Sequence, residues 1–105
     1  MNLEVHGHQL EVTDALRSYA NEKFQRLGRH FEHPFDSKIQ LSIDKPNHCA
    51  EGTVTTNGRT LHAEASAQTM YAAIDMLVDK LDRSLQKVKD RLVDHHRGDS
   101  VRQQA

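Results

Sequence analysis

Four cations in the last third of the chain, Lys80, Arg83, Lys87 and Arg91, stand three, four and four residues apart. On a helix, at about 100° per residue, that spacing sets them in one row along one side. A row of cations suits a polyanion, above all a phosphate backbone. Lys89 lies in the same stretch and is counted with them. Asp75, Asp79, Asp82 and Asp90 fall mostly on a separate sector of the same helix. The formal net charge of the whole chain is -1, so the total conceals the sorting. An ordinary solvated face would mix its signs as i, i+4 pairs. One such pair exists here, since Asp79 precedes Arg83 by four and neutralises part of the row.

An earlier stretch adds Arg17, Lys23, Arg26 and Arg29, the last three spaced by three on one flank. Two helices lying side by side would let both sets of cations line a single groove. Two rows follow a curved phosphate backbone better than one. Arginine can also fork onto a phosphate and stack on a base.

Other chemistries find less support. There are eight histidines but neither a Cys-x-x-Cys nor a His-Glu-x-x-His motif, so surface histidines and no bound metal or cofactor are expected. Cys49 would need an oriented base to act as a nucleophile, and adjacency to His48 in sequence does not supply one. Catalysis is therefore not expected. The enzyme-class rival, a small hydrolase using His, Asp and a metal, is separable by metal analysis of the pure protein. Tyr71 reads as packing rather than a base-stacking platform, and a stacking sheet is unsupported with so few aromatics.

The elements that must position these residues follow from periodicity. Leu3 and Val5 alternate with polar neighbours in a short strand ending near Gly7. Thr13 can cap a helix whose apolar positions are Leu16, Tyr19, Ala20, Phe24, Leu27 and Phe31, stopped at Pro34. Ile39, Leu41 and Ile43 alternate in a half-buried strand, and residues 45–48 form a turn. Ala50, Gly52 and Val54 alternate in the next strand, Asn57 and Gly58 make a tight hairpin, and Leu61, Ala63 and Ala65 alternate in the return. Those small inward residues would let a helix approach closely. Thr69 caps a last helix over 70–96, with an apolar stripe at Tyr71, Ile74, Val78, Leu81, Leu85, Val88 and Leu92.

The order is β-α-β-β-β-α. The expected architecture is an α+β two-layer sandwich with both helices on one face of a four-stranded sheet. A chain of 105 residues is expected to hold one domain, residues 1–96, followed by a disordered tail over 97–105. No apolar run approaches the ~20 residues that cross a bilayer. No secretory signal is visible and there is a single cysteine, so a cytoplasmic protein is expected.

Met70, Tyr71, Ala72, Ala73, Ile74 and Asp75, followed by 77–81 and 83–87, resemble the signature of the ribosome hibernation factors, the ribosome-associated translation inhibitor family. Residues 10–13 and 15–17 resemble the start of that family's first helix. The resemblance covers about residues 1–95 and points to the short hibernation-promoting form. It implies a fold similar to double-stranded-RNA-binding domains. It also implies a site on the small ribosomal subunit and its ribosomal RNA, in the channel of messenger and transfer RNA. A factor of this kind is expected to be a monomer off the ribosome, to idle translation, and to promote ribosome pairing together with a separate ribosome modulation factor. No membrane and no small-molecule substrate are implied. The alternatives are a generic double-stranded-RNA-binding module, or the translation-inhibitor type that keeps ribosomes unpaired. Arg17, Lys23, Arg26, Arg29, Lys80, Arg83, Lys87, Lys89 and Arg91 are the expected RNA contacts.

Overall fold

The structure, a computed structural model, describes residues 2–30, 35–56 and 58–101, with the side chains at 30 and 89–101 excepted. Its elements are β1 (Asn2–Gly7), α1 (Asp14–His30), β2 (Asp36–Asp44), β3 (Asn47–Thr56), β4 (Arg59–Ala67) and α2 (Met70–Val101). The strands form one sheet in the order β1-β2-β3-β4. β1 runs parallel to β2, a pairing that requires a crossover, and α1 is that crossover. β2, β3 and β4 are a meander of antiparallel pairs. The expected α+β order and layering hold.

Both helices begin at the expected caps. Thr13 Oγ1 accepts from the Leu16 amide at 3.2 Å, and Thr69 Oγ1 accepts from the Ala72 amide at 3.1 Å. Each satisfies a first-turn donor that the helix itself cannot pair. α1 lies on the β1 side and α2 over β3 and β4. Ala20, Phe24 and Leu27 of α1, Ile39 and Leu41 of β2, Ala50 and Val54 of β3 and Ile74, Leu77 and Leu81 of α2 form the centre of the core.

The return between β3 and β4 is the tight hairpin expected from its composition. Thr56 pairs with Arg59, and Gly58 has φ +74°, a conformation other residues rarely adopt. Asn57, Phe31 and the expected helix stop at Pro34 lie outside the described residues.

Two sequence expectations are corrected. Ile43 is exposed, at 48%, although Ile39 and Leu41 on the same strand are buried. β1 ends at Gly7 opposite Leu41, so Ile43 has no β1 neighbour. The buried stripe of α2 is also rotated from its expected phase. Met70, Ala73, Ile74, Leu77, Leu81, Leu85 and Val88 are buried, whereas Tyr71 is exposed and Val78 only half-buried. The phase is set by the sheet, whose inward β3 and β4 residues include Gly52, Ala63 and Ala65.

Gly52 shows how close the approach is. A Cβ built there would lie 3.1 Å from side-chain carbons of both Leu77 and Leu81. Gly52→Val should therefore overpack the sheet–helix contact. We expect a cost of about 1–3 kcal/mol, read as a fall in thermal midpoint of roughly 4–8 °C per kcal/mol. An unchanged midpoint would mean that α2 sits further from β3.

α2 is long for the sheet it covers. Its 32 residues span about 48 Å at about 1.5 Å per residue, and the longest dimension of the molecule is 51 Å. Four strands at about 4.8 Å cover less than half of that. The helix is continuous to Val101, past the His96 at which the sequence places its end.

Candidate nucleic-acid interface

α2 presents its cations on the flank that faces β4. Lys80 is exposed and its Nζ donates to the Glu64 carbonyl oxygen at 2.7 Å. β4 is an edge strand, so this contact covers one polar group of an otherwise open edge. Arg83 and Lys87 follow along the same flank, both exposed. Arg83 Nη2 lies 3.9 Å from Asp79 Oδ2, with both side chains more than 70% exposed, which makes a weak, screened pair. The side chains of Lys89 and Arg91 lie outside the described residues.

The other flank of α2 faces α1 and is acidic. Asp75 accepts from the Tyr19 hydroxyl at 2.8 and 2.9 Å, one bond to each carboxylate oxygen. The same carboxylate lies 3.5 Å from Lys23 Nζ. Lys23 in turn sits 5.2 Å from the centre of the Tyr19 ring, and Tyr19 meets Tyr71 edge-on at 4.9 Å between ring centres. The hydrogen bond to Asp75 holds the Tyr19 phenol above its ordinary pKa, with burial adding to the effect.

Among the described residues, the expected single groove of cations between the helices does not form. Asp75 occupies the seam, and Lys23 faces it rather than a Lys or Arg of α2. The α2 row points away from the seam. Its members Lys80, Arg83 and Lys87 are five, eight and twelve residues from Asp75, or about 140°, 80° and 120° around the helix. Of the α1 cations, Arg26 and Arg29 are exposed, and Arg17 Nη1 donates to the Val5 carbonyl at 3.4 Å toward β1. The structure thus brings Lys80, Arg83 and Lys87 together, and keeps them apart from Arg17, Lys23, Arg26 and Arg29. Sequence reasoning treated Tyr19 as core. Its partner Asp75 is 56 positions away, beyond the reach of any local pattern.

The opposite face of the sheet is polar. Cys49 lies there, half-buried and free, in an open groove of about 490 Å³ with Ser42, Glu51, Glu64 and Ser66. His48 precedes it on the strand and so points to the other face, which leaves it no role as a base for the thiol. Glu51, His62 and Glu64 bring donor atoms within 4.8 Å of one another. Glu51 and Glu64 are direct cross-strand partners, and Thr53 Oγ1 lies 3.4 Å from His62 Nδ1. His62 and Glu64 are exposed, and the strand register sets the like charges of Glu51 and Glu64 directly opposite each other. No helix among the described residues is long and apolar enough to cross a membrane.

Residues 3–93 match the family model described as sigma 54 modulation protein / S30EA ribosomal protein. The chain belongs to this family. Its relatives include the ribosome hibernation promoting factor of Salmonella typhimurium strain LT2, 42% identical over 95 residues, covering 90% of this chain and all of that one. The factor of the same name from Azotobacter vinelandii is 42% identical over 98 residues, covering 93% and 92%. Among solved structures, the N-terminal domain of Thermus thermophilus Protein Y superposes with a TM-score of 0.78 at 34% identity, over 84% of this chain and 99% of that one. A ribosomal subunit interface protein from Coxiella burnetii gives the same TM-score at 28% identity, over 86% and 99%. The S30EA assignment agrees with the resemblance carried by residues 70–75, and both neighbours share the β-α-β-β-β-α fold.

Proposed function

We propose that this protein is a non-enzymatic ribosome hibernation factor. It docks as a monomer on the small ribosomal subunit, in the channel that messenger and transfer RNA use, and excludes them by its folded bulk. Lys80, Arg83 and Lys87, continued by Arg91, neutralise ribosomal RNA phosphates from one side, and Lys89 adds a charge on another sector of the helix. Arg17, Lys23, Arg26 and Arg29 do so from α1. Recognition is by shape and backbone, the mode that phosphate-neutralising cations serve. Ribosomes held in this way pair, with a separate modulation factor assisting.

The observation that carries this reading is the one-sided row of exposed cations on α2 in a chain whose relatives are ribosome hibernation promoting factors. A sucrose-gradient profile of stationary-phase ribosomes, with and without the protein, tests it. The protein should migrate with the small subunit and with whole ribosomes, and a peak of paired ribosomes should grow when it is present. Co-migration without pairing would assign the unpaired, translation-inhibiting type. Protein left at the top of the gradient, but bound to free duplex RNA, would assign a generic double-stranded-RNA-binding module.

A further inference from the structure

Tyr71 is an aromatic ring left at the surface of the helical layer. Phe24 and Phe35 are buried, whereas Tyr71 is 42% exposed. A ring in water forgoes much of the burial that aromatic side chains give a core. This one is nonetheless held in place. Tyr19 meets it edge-on, with ring centres 4.9 Å apart and ring planes at 86°. A contact of that shape occupies at most one face of a ring, so Tyr19 leaves at least one face of Tyr71 unoccupied. Tyr19 is itself anchored by its two hydrogen bonds to Asp75. The exposed ring is therefore oriented before anything binds to it, and a ligand need not fix it at an entropic cost.

The charges around this ring belong to α1. Tyr19, Lys23 and Arg26 are spaced four and three apart, so they share one face of that helix. Lys23 lies 3.5 Å from Asp75 and offsets its charge. Arg26 is exposed and offers a guanidinium to a phosphate. Aromatic rings among cations are the arrangement that binds unpaired nucleic acid, the cations tracking the backbone and the rings stacking on bases. A duplex already stacks its bases on one another, whereas a loop or bulge can splay one out. Tyr71 is nine residues from Lys80, about 180° around α2, so this stack would form on the flank away from the cation row.

We propose that Tyr71 stacks on one unpaired base of ribosomal RNA, with Tyr19 fixing the ring and Arg26 meeting the neighbouring phosphate. The proposal rests on the ribosome-binding function above and deepens it. The α2 row attracts any RNA backbone, and Tyr71 adds a preference for RNA that offers a splayed base. Every base has a π-face, so the stack selects an unpaired base rather than a sequence.

The test measures affinity for purified small subunits across a series of salt concentrations. The proteins are the wild type, Tyr71→Phe, which keeps the ring, and Tyr71→Leu and Tyr71→Gln, which remove it in apolar and polar form. Leu and Gln are both good helix formers, and thermal midpoints check each fold. Tyr71→Phe should bind within about twofold of wild type, and the two ringless variants should lose roughly 5- to 150-fold, the range for loss of one base–aromatic stack. Their salt slope should stay that of wild type, because a stack releases no counterions. Ringless variants that bind like wild type would overturn the proposal. So would a Tyr71→Phe variant that loses as much as they do, which would assign the effect to the hydroxyl. A folded ringless variant with a shallower salt slope would also overturn it, since the ring would then only position the α1 cations. Wild-type protein that fails to bind small subunits would instead overturn the functional reading, and this proposal with it, a result seen without any variant.

Discussion

Changing Lys80, Arg83, Lys87 and Arg91 together to Gln should weaken small-subunit binding by about 10²–10³-fold at physiological salt. Each phosphate contact releases roughly 0.7–0.9 of a counterion, and at ~0.15 M salt that is worth well under one decade, so four contacts sum to that range. The fold should survive. Gln is nearly as good a helix former as Lys or Arg, and Lys80, Arg83 and Lys87 are all exposed. The tertiary contact at risk is the bond from Lys80 to the Glu64 carbonyl, which lies at a solvent-exposed edge. Co-sedimentation with small subunits measures the loss, and circular dichroism with thermal melting checks the fold. Undiminished binding by a folded variant would move the site to α1 or to the sheet.

The largest stability effect is expected at Phe24. Its side chain is fully buried, at 0% exposure, in the layer between the helices and the sheet. Phe24→Ala removes most of a ring from a site that backbone hydrogen bonding holds open, and typically costs about 3–5 kcal/mol. A domain of this size is stable by only about 5–15 kcal/mol, so a large part of the margin goes. α1 depends on this contact more than α2 does, because it buries only Ala20, Phe24 and Leu27 fully. Urea unfolding followed by circular dichroism reads the change as a shifted midpoint. A cost under about 1 kcal/mol would show that α1 is docked by other contacts.

The parts of the fold that were legible in the sequence are those decided locally. Thr13 and Thr69 announce helix starts because a side-chain oxygen there answers a need of the next turn. Ile39 and Leu41 announce a strand because alternate residues face alternate sides. The phase of α2 was not legible. Tyr71 and Val78 fit an apolar stripe as well as Met70, Ala73 and Leu77 do. The choice was made by Gly52, Ala63 and Ala65 on strands that the helix does not adjoin in sequence.

The candidate site divides in the same way. Spacing alone put Lys80, Arg83 and Lys87 in one row. Which way the row faces follows the phase of α2 that Gly52, Ala63 and Ala65 set, and the contact between Tyr19 and Asp75 marks the flank that meets α1. A single sequence carries no trace of it, because its two partners belong to different periodicities. The result is a molecule with cations on two flanks and carboxylates between them, rather than one continuous basic groove.

On the proposed function, charge on the helices holds this protein on ribosomal RNA. Affinity for the small subunit, measured across a series of monovalent salt concentrations, tests it most directly. With about six phosphates contacted, the logarithm of the affinity should fall with the logarithm of salt at a slope near -4 to -5, at roughly 0.7–0.9 per contact. The fourfold Gln variant should lose about one unit of slope for each contact removed. A slope near zero in the wild-type protein would contradict the account.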